Sequence, residues 1–229
     1  MLKISCIIPA YNEEKNITRV LRILVPLIGT VIHEVIVVDD MSGDNTKEIV
    51  KNFSTVRLVE HLVNEGKSKT VSDGIQKSTG DYILLLDADL LYLNQGNITD
   101  LITPISNNRA DVTISFRKNA WPLFPFKDID YLSGERIFPK KHAASFLDEM
   151  AQLPGYGLEV FLNKNVIIRN QLRLAVVQWP NVENQPHYRK KGILKGARVI
   201  AKIWWNVLRT ASIIEIFKQN ISMRKLLVK

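Results

Sequence analysis

Residues 81–89 read DYILLLDAD. The run YILLL is apolar without alternation, so both faces of a strand here expect burial, as in a parallel sheet with helices above and below. It ends in two acids around one small residue. Side chains two apart on a strand emerge on the same face, which puts Asp87 and Asp89 together, and Ala88 lets something approach between them. The apolar LLYL that follows (90–93) fits either packing beneath a cleft or a border to a bound substrate.

The same pattern recurs along the chain. KISCIIP (3–9), HEVIVVDD (33–40), VRLVEHL (56–62) and ADVTISF (110–116) are strand-like. Helical patterns stand between them: EEKNITRVLRILVP, DNTKEIVKNF, GKSKTVSDGIQKS and a helix near 98–107. This β-α repeat predicts an α/β fold with an open, doubly wound, mostly parallel sheet. Asp44 reads as a turn or cap residue before the second helix, with Ser42 beside it, and Gly80 closes the third helix. After Phe116 the rhythm breaks in RKNAWPLFPFKD; helical patterns follow at 140–150 and 158–169, then a strand at 172–179.

The chain has 229 residues, enough for a substantial core, and no internal repeat. Its single cysteine, Cys6, lies in the apolar run ISCII, so no internal disulfide forms and a reducing compartment is expected. No run approaches the roughly 18 apolar residues of a spanning helix, and no secretory leader pattern opens the chain. The expected location is cytoplasmic, peripheral on the inner face of the cell membrane. The net charge of +8 is concentrated near the end: residues 189–229 hold eleven Lys or Arg against the single acid Glu215. The expected division is therefore a domain over 1–188, with halves 1–116 and 117–188, and a basic helical tail over 189–229.

Ligands of open α/β sheets bind beyond the carboxyl ends of the strands. Four ends deliver PAYNEE (9–14), DDMSGDNT (39–46), NEGKSK (64–69) and DAD (87–89) to one rim. Two carboxylates as close as Asp87 and Asp89 repel unless a cation separates them, and oxygen donors suit Mg²⁺ or Mn²⁺ bridging to a diphosphate. The alternative for the pair is a solvated turn. A dinucleotide dehydrogenase is disfavoured, because PAYNEE stands where GxGxxG would follow the first strand.

The ordered set PAYNEE, VVDDMSGDNT (37–46), NEGKSKTVSDG (64–74) and LLLDAD (84–89) resembles the nucleotide-sugar half of the inverting glycosyltransferases of family 2, which have the GT-A fold. The resemblance covers roughly residues 3–116. It implies that Pro9, Tyr11 and Glu13 line a nucleoside pocket, that Asp39 or Asp40 holds the base, and that Gly66 and Lys67 approach the nucleotide. Asp87 and Asp89 would then hold ribose and metal-diphosphate. Elementary chemistry agrees: a ring N–H wants a carboxylate acceptor, glycine permits close backbone approach and lysine offers charge to phosphate.

In the second half, LSGERIFPKK (132–141) and LPGYGLEVFLN (153–163) resemble the acceptor region of retaining GT-A enzymes of the glucosyl-3-phosphoglycerate synthase type. That implies Ser133, Gly134 and Glu135 facing the acceptor, and Gly155, Tyr156, Gly157 and Glu159 bordering the donor sugar. Glu159 is the candidate general base. Val160 stands where the inverting family places a second acid, so the stereochemical outcome is open. His187 is a candidate third metal ligand, or a surface histidine in a Pro-containing loop.

In the tail, Lys195, Arg198, Lys202, Asn206 and Arg209 recur at helical spacing opposite an apolar face bearing Trp204 and Trp205. Such a helix lies in a bilayer interface or packs on the domain or another subunit. The leading expectation is a metal-dependent glycosyltransferase carrying sugar from a UDP- or GDP-sugar to a lipid-linked or other envelope-precursor acceptor. Two alternatives stand beside it: a small soluble acceptor such as phosphoglycerate, and a non-catalytic nucleotide- or nucleic-acid-binding module. Nucleic acid is not the expected partner, since the paired acids at the rim repel a phosphate backbone. A homodimer is compatible with the sequence.

Overall fold

The structure is a computed structural model that describes residues 2–119, 128–154, 157–184 and 204–228. Its strands are β1 (Ile4–Ala10), β2 (Glu34–Asp39), β3 (Val56–Glu60), β4 (Tyr82–Leu85), β5 (Leu90–Leu91), β6 (Val112–Arg117), β7 (Arg136–Pro139), β8 (Leu174–Trp179) and β9 (Glu183–Asn184). The helices are α1 (Ile17–Leu24), α2 (Thr46–Lys51), α3 (Lys67–Lys77), α4 (Gln95–Ser106), α5 (Lys140–Ala143), α6 (Leu147–Ala151), α7 (Gly157–Leu162), α8 (204–210) and α9 (Ile213–Lys225).

Seven strands form one sheet in the order β3-β2-β1-β4-β7-β6-β8, parallel except at the antiparallel β7. Period two sorts the strand residues onto opposite faces. Ile4, Cys6, Ile8, Val35, Val37, Leu84 and Leu86 join one core with α1 and α4; Ile7, Ile36, Val38, Ile83 and Leu85 join another with α3, α7 and α9. Burial on both faces is why the strands read as unbroken apolar runs.

The helices form where the spacing places an apolar stripe. In α1, Ile17, Val20, Leu21 and Leu24 recur at i, i+3, i+4 and i+7 and are all buried. At α4, Asn94 accepts from the Asn97 N–H at 3.1 Å and the Asn97 side chain accepts from the Asn94 N–H at 3.0 Å, closing a capping box. Gly74 lets α3 lie against β1, because a Cβ there would stand 2.5 Å from Ile7 Cγ2.

Several elements differ from expectation. The helix expected over 140–150 is broken into α5, a tight turn at Ala144–Phe146 and α6, and the one over 158–169 is α7 followed by a wide π-turn at Asn163–Ile168. Strand β7 lies inside a segment read as an acceptor loop. Its Arg136 is fully buried, so hydropathy hides the strand; the charge is satisfied by the Ser133 carbonyl and by Asn163 Oδ1 at 2.9 Å. The expected tail is also only partly a tail. Val207 of α8 and Ile216 and Met223 of α9 are buried in the second core, and Val228 N–H donates to the Leu174 carbonyl at 2.9 Å. Trp204 packs against that core while Trp205 points outward, so the two tryptophans do not share a face. Residues 189–203 lie outside the described set.

Candidate active site

In the sheet order, β1 has β2 on one side and β4 on the other, so chain connections leave in opposite directions at the β1/β4 boundary and open a crevice beyond their ends. A cavity there is lined by Pro9, Lys67, Val71, Asp87, Gly134, Arg136, Leu158 and Glu159. Tyr11 stands exposed at the rim and Glu13 accepts from Asn16 Nδ2 at 2.6 Å.

Two side chains knit the β1 and β2 ends together. Asn12 N–H donates to Ser42 Oγ at 2.9 Å, and Asp44 accepts from Glu14 N–H at 3.1 Å and Thr46 N–H at 3.0 Å. The two adjacent aspartates after β2 then divide their roles. Asp40 accepts from Glu65 N–H and Gly66 N–H, both at 2.8 Å, fixing the loop before α3. Gly66 has φ +88°, a conformation that other residues rarely adopt, and this turns its N–H toward Asp40. Asp39 Oδ2 accepts from Ser42 N–H at 2.9 Å, while its buried Oδ1 has no partner among the described residues. Asp39 is thus the one with a vacant acceptor.

Strand β4 ends at Leu85, so DAD lies in the turn just beyond it and not on the strand as expected, yet Asp87 and Asp89 are partly exposed and Ala88 between them is buried. Asn184 Nδ2 lies 3.0 Å from Asp87 Oδ2 and 3.4 Å from Asp89 Oδ1, so the two carboxylates converge on one point. Asn184 is brought there by β9, which pairs antiparallel with β5. The apolar residues after DAD are therefore explained in part: Leu90 and Leu91 form the strand that carries β9. Converging carboxylate oxygens are the donor set that suits Mg²⁺ or Mn²⁺.

On the opposite wall, Lys67 Nζ lies 2.9 Å from Asp87 Oδ1 and 3.1 Å from Glu159 Oε1. Burial alone would raise the Asp87 carboxyl, but Lys67, then Arg117 and Asn184, hold it down at about 2. Glu159 is buried, and its Oε2 has no partner among the described residues. Gly134 approaches so closely that a Cβ there would stand 2.9 Å from Asp87 Oδ2.

Ser133 and Glu135 lie beneath this surface, both fully buried. Glu135 Oε2 accepts from Ser133 Oγ at 3.0 Å and pairs with Arg117 Nε at 3.0 Å. Burial pushes its carboxyl up to about 7, with Arg117 opposing and the charges of Asp87 and Asp130 adding. Arg117 also pairs with Asp130 at 3.1 Å and donates to Asn184 Oδ1. Ser133 and Glu135 thus reach the cleft through Arg117 and Asn184 and do not face it directly. Those two linkers escape a motif reading. Arg117 hides at the end of an apolar strand, and the signal for Asn184 was its place just before the candidate His187.

Gly157 sits at the start of α7, where a Cβ would collide with the Thr210 hydroxyl of α8. Gly155, Tyr156 and His187 lie outside the described residues. Among the described residues, a tight cluster of His and acids is His61, Glu65 and Asp73, on the far side of Asp40. His61 Nδ1 is 3.0 Å from Asp40 and Nε2 is 3.0 Å from Asp73, which Lys69 also neutralises at 2.6 Å. These contacts brace the Asp40 loop.

Residues 5–125 match the sequence profile of glycosyl transferase family 2. The chain belongs to that family. A dolichol-phosphate mannosyltransferase of Pyrococcus furiosus is 32% identical over 119 residues, covering 51% of this chain and 33% of that protein. An uncharacterized protein of Methanocaldococcus jannaschii is 36% identical over 121 residues, covering 49% and 51%. The chain thus spans about half or less of the length of these curated relatives. Among solved structures, glucosyl-3-phosphoglycerate synthase of Mycobacterium tuberculosis with Mn²⁺, UDP-glucose and phosphoglyceric acid superposes with a TM-score of 0.69 at 21% identity, over 90% of this chain and 80% of that one. This family 2 chain therefore has the GT-A fold.

Proposed function

We propose that this family 2 protein is a metal-dependent glycosyltransferase that takes its sugar from a UDP- or GDP-sugar and gives it to a lipid-linked or other envelope-precursor acceptor. The observation that carries the reading is the convergence of Asp87 and Asp89 on one point, with Lys67 bridging Asp87 to the buried Glu159.

Asp89 and Asp87 would hold Mg²⁺ or Mn²⁺, with His187 the third ligand that the resemblance implies. When bound, the cation acts as a Lewis acid that neutralises charge on the nucleoside diphosphate. Asp39 Oδ1 is the free acceptor for a ring N–H of the base, between Pro9, Tyr11 and Glu13. Lys67 trades its carboxylate partners for diphosphate oxygens. Asp87, Gly155, Tyr156 and Gly157 border the ribose and donor sugar. Where the acceptor offers a hydroxyl, Glu159 takes its proton as that oxygen bonds to the anomeric carbon; a phosphate acceptor attacks through an oxygen that is already ionised and needs no base. The bond from that carbon to the diphosphate breaks, and the diphosphate leaves with the electron pair.

Hydrolysis of a panel of nucleotide sugars with Mn²⁺ tests the donor, with Asp89→Ala as control. Turnover of a UDP- or GDP-sugar by the wild type, lost in Asp89→Ala with an unchanged thermal midpoint, is expected. Unchanged activity in that variant removes the metal assignment, and binding of RNA without UDP or GDP binding removes the transferase. The second reading is a small phosphorylated acid as acceptor, favoured by the likeness to a structure holding phosphoglyceric acid. Competing that acid against a polyprenyl phosphate in the transfer assay decides between them.

A further inference from the structure

The exposed large apolar side chains of the C-terminal helices are not scattered. In α9, Ile213, Ile214, Phe217 and Ile221 are 65%, 68%, 42% and 45% exposed. At 100° per residue they fall within about 100° of arc. The adjoining side of the helix, with Ile216, Gln219, Asn220 and Met223, is buried in the domain. In α8, Trp205 and Leu208 are exposed one turn apart, while Val207 is buried. Two successive helices are thus apolar inward, where the core needs it, and apolar outward, where the domain does not.

The charge beside this outward stripe is mainly basic: Arg224, within its arc, pairs with Asp128 at 2.9 Å, and the remaining neighbours are cations. Lys218 and Lys225 flank it on α9, and Arg209 is exposed on α8. The one acid of residues 189–229, Glu215, is paired with Lys164 at 3.1 Å. A second copy of this chain would bring like charges together around the stripe. An anionic surface with an apolar interior complements it, and a tryptophan with flanking lysines suits the headgroup boundary.

We propose that the outward face of α8 and α9 docks on a lipid bilayer containing anionic lipid, with Trp205, Ile214 and Ile221 inserted and Lys218 and Lys225 at the headgroups. This deepens the transferase reading and rests on it for the purpose of the contact. Thr210 of α8 packs on Gly157 at the start of the helix that carries Glu159, so the docked face is in direct contact with the helix bearing the proposed base.

Full-length protein is floated with phosphatidylcholine vesicles, with and without phosphatidylglycerol, and compared with Trp205→Ser/Ile214→Ser/Ile221→Ser and with Lys218→Glu/Lys225→Glu. All five residues are outside the cleft and the cores, so mixed vesicles should lose affinity for the triple variant by about tenfold or more while its thermal midpoint holds. The charge variant should lose only the added binding that phosphatidylglycerol brings. Absence of wild-type flotation, or equal flotation of the triple variant, overturns the proposal. So does a wild-type dimer in sedimentation that the triple variant breaks without any flotation. Donor hydrolysis without vesicles is measured on each protein: its loss in the wild type sinks the transferase reading, whereas flotation failure with hydrolysis intact sinks docking alone.

Discussion

At the scale of single residues, the cleft is controlled by how near a backbone comes to a charge. Gly134 leaves no room for a Cβ beside the Asp87 carboxylate, which stands 2.9 Å from where that atom would be. Gly134→Ala must displace Asp87 by some tenths of an ångström, and a misplaced reacting group costs up to about 100-fold. The expected result is a fall in kcat of at least about tenfold with a thermal midpoint near that of the wild type; unchanged kinetics would show that the Asp87 position is not limiting. Asp39 offers a second test. Its Oδ1 is buried without a partner among the described residues, so it is poised for a donor from outside the chain. Asp39→Asn can present an N–H to a ring N–H, losing that bond and adding a clash of donors, which is about 1–3 kcal/mol. Calorimetry with UDP or GDP should show a dissociation constant raised about 10-fold or more, and equal affinity would transfer the base contact to another residue. These assignments were half legible beforehand. The pair Asp39 and Asp40 was visible in the sequence, but which one was spent on the Gly66 loop depended on where two backbone N–H groups pointed, and composition does not record that.

At the scale of elements, β1, β2 and the turn before β4 are joined, at the end of the sheet away from the cleft, by one side chain that titrates. Glu34 at the start of β2 accepts from Ser5 Oγ at 2.7 Å and from Thr79 N–H and Oγ1, both at 2.6 Å, clipping β1 and β2 to the turn before β4. Partial burial alone would raise its carboxyl, but these bonds outweigh it and the group is held below the ordinary carboxylate range. A carboxyl lowered by folding contributes stability that is fully present above its unfolded pKa of about 4.5 and is lost as pH falls through the folded value. Urea unfolding of the wild type between pH 6 and 3 should therefore lose more stability than Glu34→Gln does. Parallel pH profiles would mean that the clip is silent. What was legible among the elements follows hydropathy. Strands β1, β2, β4 and β6 were visible as apolar runs because both faces are buried. Strand β7 was not, since it is four residues long and holds a buried arginine, and β9 was not, since its two residues pair only with the strand after DAD. Both carry partners of the cleft, so the elements least visible in the sequence are those the charge network requires.

At the scale of the whole molecule, the question is what the C-terminal segment belongs to. Its basic composition sets it apart in the sequence, yet α9 fills the core beside α3 and α7, and Tyr131 donates from its hydroxyl to Gln219 Oε1 at 2.5 Å. Backbone pairing of Leu174 with residues 226–228 adds a cross-connection to the edge strand β8. A chain cut after Tyr188 would expose the face that Val207, Ile216 and Met223 cover, so truncation confounds folding with any contact the helices make outside the domain. Substitution separates the two faces. Met223 is fully buried, and Met223→Ala leaves a cavity worth about 3 kcal/mol, or about 6–12 °C in thermal midpoint for a chain of this size. Ile221→Ser, two residues away on the exposed side, should move the midpoint by less than about 2 °C, because about half of its side chain already faces out and it belongs to neither core. If the two substitutions destabilise equally, α9 is packed on both sides. A large effect of Met223→Ala alone would show one helix serving as core on one side and as a free apolar surface on the other, which an ordinary surface helix, apolar only inward, is not.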